Sequence, residues 1–173
     1  MVTGRMRACL FGFVALSTSC DLNPVHDDAV ADLGAEAPGV PPGPLHRPGQ
    51  PCLVCHDGST ATPALSVGGT VYAVLGSGTP LADVTVNLTG ENGSTFASVT
   101  NAAGNFYVLQ NEWQPVYPLR INLVYAGITS TMSTIIGRDG SCATCHVDPA
   151  SRISAGRVYL AASAALLPEG GAP

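Results

Sequence analysis

Residues 67–108 read VGGTVYAVLGSGTPLADVTVNLTGENGSTFASVTNAAGNFYV, and their patterning decides the fold. Val84, Val86 and Leu88 alternate with Thr85, Asn87 and Thr89, the period-two pattern of a strand with one buried and one wet face. Pro80 stiffens the turn before this run, Gly104 supplies a turn conformation that other residues resist, and Phe106 is placed to plug a core. Working outward, the same reading predicts strands near 67–75, 84–89, 95–100, 105–109, 119–125, 128–136 and 157–161. In the fifth, Leu119, Ile121, Leu123 and Tyr125 alternate with Arg120, Asn122 and Val124. Seven short strands separated by Gly, Asn and Pro turns predict an all-β chain built as one antiparallel β-sandwich.

Composition agrees. Only 6% of the 173 residues are aromatic and 11% charged, which favours short strands over long amphipathic helices, and the length suits one domain plus a tail. All seven basic residues are Arg, and from Cys20 onward five of them face twelve Asp and Glu. An acidic surface without a basic stripe repels phosphate backbones, so no nucleic-acid partner is expected.

The first nineteen residues have the three parts of an export signal: Arg5 and Arg7, an apolar run through CLFGFVAL, and small residues before Cys20. The run is too short to span a membrane as a helix. The ending LSTSC resembles a bacterial lipoprotein signal, although Leu16 stands four places before Cys20 rather than three. That resemblance implies lipidation at Cys20 and a protein held by lipid at the periplasm or cell surface, on the inner or outer membrane. Residues 20–45, rich in Pro, Ala and Asp without strand or helix periodicity, read as a disordered, flexible tether. Thirty such residues, fully extended, reach on the order of 100 Å.

The 67–108 stretch also resembles the carboxypeptidase regulatory-like, or transthyretin-like, β-sandwich, through its Gly-x-Val strand, the G-x-P-L-A-x-V-x-V-x-L run and T-x-x-x-G-x-F. The resemblance implies a scaffold over 67–136 with no catalytic residues of its own.

Chemistry concentrates elsewhere. The five-residue pattern Cys-x-x-Cys-His occurs twice, as CLVCH at 52–56 and CATCH at 142–146. In such a pattern the two thiols form thioethers to the vinyl groups of one haem, and the His is turned under the ring to ligate iron. Cys52, Cys55 and His56, and Cys142, Cys145 and His146, are therefore the expected attachment residues of two haem c groups, in segments 46–66 and 137–165, with 166–173 a tail. Of six Cys, Cys9 falls in the signal and Cys20 is the lipid site, which leaves four, all in the two motifs.

Haem attachment outside the cytoplasm is what a resemblance to bacterial c-type cytochromes implies, in accord with the export signal. It also implies an electron-transfer protein rather than an enzyme, serving redox partner proteins of the envelope. Other readings of the motifs are a zinc site closing two hooks about 90 residues apart, a thioredoxin-like redox pair, and a disulfide within each motif. Under these the chain is an adhesion or assembly module whose Cys and His are structural.

Sixth iron ligands must come from few residues, since outside the signal the chain has four His and one Met. His46, six residues before Cys52, resembles the distal ligand of bacterial multihaem cytochromes. Met132, ten before Cys142, reads as a ligand or a strand residue facing the core, and His26 as a solvated residue of the tether. If successive strands alternate in direction, the two motifs meet at one end of the sandwich.

Overall fold

The computed structural model describes residues 23–167. The signal 1–19, the lipid site Cys20 and residues 168–173 of the tail lie outside them. Seven strands form: β1 (Leu65–Val74), β2 (Thr85–Thr89), β3 (Thr95–Val99), β4 (Asn105–Leu109), β5 (Arg120–Tyr125), β6 (Ile128–Thr131) and β7 (Val158–Ala161). They make a three-stranded sheet in the order β4-β1-β7 and a four-stranded sheet in the order β3-β2-β5-β6. Alternation does the sorting. Val84, Val86 and Leu88, Leu119, Ile121 and Leu123, Val67 and Val71, and Phe106 and Val108 are all buried and join in one core. On the other face of the larger sheet, Asn87 donates to Asn122 at 2.9 Å across the β2–β5 pair.

Gly104 has φ +69°, and a Cβ there would strike the Val71 carbonyl. The turn is held by Asn101, whose side-chain oxygen accepts from the N–H groups of Ala103 and Asn105.

The structure departs from the sequence reading first in its strands and then in its tether. Every pairing is antiparallel except β1–β7, which is parallel, with Val71 opposite Val158. Ser141 already lies beside Gly68 in the same parallel sense. The chain therefore runs alongside β1, leaves for residues 142–157, and returns as β7. β6 also stops at Thr131, five residues short of its expected end, and Ile136 rejoins only by a bridge to Leu119.

The second departure is that part of the expected tether is folded. Pro24–Asp32 form helix α1, capped by the Asn23 side chain accepting from the His26 N–H, with Pro in its first turn. A nine-residue helix inside a Pro- and Asp-rich stretch leaves no periodicity long enough to read.

β1 is buried on both faces. Val67 and Val71 point into the core, while Thr70 and Tyr72 on the outer face are each only 5% exposed. Residues 43–51 and helix α2 (Cys52–Cys55) supply the outer cover.

Candidate functional site

Both Cys-x-x-Cys-His motifs fold into the same tight turn. In the first, the His56 N–H donates to the Cys52 carbonyl at 3.0 Å; in the second, the His146 N–H donates to the Cys142 carbonyl at 2.9 Å. The turn brings the histidine back under its two cysteines. All four cysteines are free thiols.

The histidines are then oriented from outside the turn. His56 Nδ1 lies 2.7 Å from the Pro63 carbonyl and His146 Nδ1 lies 2.9 Å from the Gly156 carbonyl. A carbonyl oxygen can only accept, so Nδ1 carries the proton and Nε2 keeps its lone pair. His46 is held the same way, by the Gly43 carbonyl. Three of the four histidines thus share the tautomer of a metal-ligating imidazole whose other nitrogen is tied to the backbone.

The His46 and His56 rings face one cleft, with centroids 5.7 Å apart and planes tilted by 33°. A separation of that order would let both imidazoles serve one metal ion, given metal–nitrogen bonds near 2 Å. The cleft has a volume of about 570 Å³, ordinary for a cofactor site, and its walls include Leu33, Val40, Pro51, Pro63, Leu65 and Phe106 together with Cys52 and Cys55. These residues fit a haem: Cys52, Cys55 and His56 would hold it, and His46 lines the same cleft.

Burial fixes the His46 loop. Asn105, 8% exposed, donates its amide to the His46 carbonyl at 2.9 Å and accepts from the Thr70 hydroxyl at 2.7 Å; Thr70 in turn accepts from the Gly49 N–H at 2.7 Å. Buried polar groups satisfied by one another give a unique arrangement.

The second motif is built from the 142–157 excursion. The Ala155 N–H bonds the Cys145 carbonyl at 2.9 Å, the Val147 N–H bonds Ser154 Oγ at 2.8 Å, and Arg157 pairs with Asp148 at 3.2 Å. Arg157 also stacks over the Tyr72 ring at 4.7 Å, which ties the excursion to the outer face of β1.

The two motifs meet at adjacent residues of β1. Cys52 packs over Gly68 and Cys142 over Gly69, on opposite faces of the strand, where a Cβ would come within 3.2 Å of Cys52 and 2.7 Å of Cys142. Glycine here is a matter of room. The motifs are thus brought together at one stretch of β1. The strand also separates the hooks, and among the described residues no group of three or more His, Cys, Asp or Glu is placed to hold a bare metal ion.

Burial pushes the Cys52 thiol up, and pushes Cys142 up to about 12, with the nearby Cys52 and Asp139 adding to it. Both stay thiols at neutral pH, unlike the thiolates of redox pairs.

Met132 is half-buried just beyond β6, its N–H bonded to the Ile121 carbonyl at 3.1 Å, and it lines neither the core cluster nor the cleft. His26 is not a solvated linker residue: its side chain is 22% exposed and lies on the first motif. Sequence reasoning missed Asn105, Thr70 and the Gly68–Gly69 pair. The near-continuous run of small and apolar residues in VGGTVYAV was the available signal, since it marks a strand covered on both faces.

Among the described residues no helix is long and apolar enough to cross a membrane. Compared with known proteins, the chain matches no family model, no curated protein and no solved structure.

Proposed function

We propose that this chain is an exported electron-transfer protein carrying two covalently attached haem c groups, at Cys52–Cys55–His56 and Cys142–Cys145–His146. The observation that carries the reading is the repeated geometry: each motif closes the same turn, and each motif histidine gives its Nδ1 proton to a distant backbone carbonyl. Held haem supplies a one-electron ferric/ferrous couple. What the chain supplies is attachment through four thiols, orientation of two imidazoles, an apolar cleft at the first site, and a rigid strand between the sites. No catalytic residue is proposed; the partners are redox proteins of the envelope. The visible spectrum tests this. Protein exported from a host with haem-attachment machinery should show c-type bands, and a colourless product would favour the adhesion-module reading.

His46→Ala is expected to change the visible and magnetic spectra of one haem without detaching it, because the variant removes an imidazole facing His56 and no thiol. Unchanged low-spin spectra for both irons would return His46 to an ordinary loop residue.

In the same reading Cys20 is lipidated, and Cys20→Ser moves the protein from the membrane to the soluble fraction. The reach of the anchor is short. With α1 folded, only Asp21 and Leu22 separate Cys20 from Asn23, which spans about 10 Å at most instead of the length of a free tether. The first haem site would then ride close to the lipid surface.

A further inference from the structure

His26 differs from the other three histidines in spending its Nε2. That nitrogen donates to the Val54 carbonyl at 2.8 Å, inside the first Cys-x-x-Cys-His turn, and lies 3.3 Å from both Asp57 Oδ2 and Thr60 Oγ1. Asp57 follows His56 directly and is itself fixed by accepting from the N–H groups of Ser59 and Thr60 at 2.8 and 3.0 Å. One imidazole from α1 thus grips the turn from within and the loop just after it.

The other end of α1 grips the opposite wall of the cleft. Arg47 donates to the Leu33 and Gly34 carbonyls at 3.3 and 2.8 Å and pairs with Glu36 at 3.5 Å, while Gln50 donates to the Leu33 carbonyl at 3.3 Å. Arg47 adjoins His46 and sits at φ +50°, a conformation that a non-glycine residue keeps only when its surroundings hold it. Leu33, Glu36 and Val40 also line the cleft.

We propose that residues 23–36 form a clasp that sets the spacing of His46 and His56, with His26 the positioning residue for the His56 side and Arg47 for the His46 side. This rests on the reading of the cleft as a haem site, but the clasp acts on the chain whether or not the group is bound. The physical reason is separation in sequence. His46 and His56 sit on two short segments, joined by residues 47–51 and α2. α1 touches both segments and so adds a tie across the cleft to loops that β1 holds from beneath, which is how supporting contacts hold a ligand set to a fraction of an ångström.

The test compares His26→Leu with His26→Gln in the full-length protein. Leu fills the space without a donor, whereas Gln retains an N–H able to reach the Val54 carbonyl. In protein made without haem attachment, hydrogen exchange over residues 46–60 should speed up about tenfold in His26→Leu and return toward the parent in His26→Gln. In protein carrying two haem masses, His26→Leu should shift one haem partly from low spin to high spin, and His26→Gln should restore it. Exchange and spectra unchanged in His26→Leu would overturn the proposal. So would a Gln variant indistinguishable from Leu, since that would make His26 a space-filling residue only. Arg47→Met is the second variant, expected to raise exchange over 43–51 and to shift the same haem. Absence of haem from the parent would defeat the haem reading, and the exchange measurement would still decide the clasp.

Discussion

Replacing Cys142 and Cys145 together with Ala is expected to halve the haem carried per polypeptide and to leave the first haem's spectrum unchanged. The two hooks are built by different stretches of chain. The first is held by the Pro63 carbonyl, α1 and the Asn105–Thr70 pair, and the second by hydrogen bonds internal to the 142–157 excursion. Their shared support is β1, and Cys→Ala asks little of it. Cys142 fills the space a side chain at residue 69 would need, so removing its sulfur leaves a small void, costing about 1 kcal/mol. The measurement is haem absorbance per polypeptide beside intact mass. No loss would make the second motif a bystander, and loss of both haems would mean that the sites assemble as one unit.

Leu88→Ala is expected to destabilise the folded chain by about 2–5 kcal/mol, the range for emptying a buried leucine site. Leu88 is fully buried at the middle of the larger sheet, paired with Phe96 on one side and Ile121 on the other. Strands on both sides hold its backbone, so the site has little freedom to collapse around the missing atoms. Against a total stability of roughly 5–15 kcal/mol this is a large fraction, readable as a lower denaturant midpoint with unchanged slope. Val99→Ala is the control: Val99 is 57% exposed on the edge strand β3, and its loss should cost about 0.5 kcal/mol or less.

The strands were legible because each carries its pattern within four to ten residues, alternation as in Val84, Val86 and Leu88 or, in β1, a near-continuous apolar run. What surrounds the first site was not. The parallel β1–β7 edge joins residues more than eighty apart, and no local pattern encodes it. Helix α1 owes its place to hydrogen bonds from His26, Arg47 and Gln50 to segments 14 to 28 residues away, so in sequence it looked like a linker. Asn105 reads as a polar residue at a strand start, and only the fold places the His46 loop against it. The Cys-x-x-Cys-His motifs were legible because their chemistry is local: thiols and imidazole must lie within one turn. Met132 shows the limit, since a strand predicted to run to 136 ends at Thr131 and takes the assumed inward face with it.

The central claim is that both motifs carry covalent haem. Intact mass spectrometry under denaturing conditions, on protein exported from a host that supplies the haem-attachment machinery, tests it most directly, because only thioether-linked haem survives unfolding. The account predicts the polypeptide plus two haem masses; a chain carrying none, or one haem with the other motif as free thiols, would contradict it.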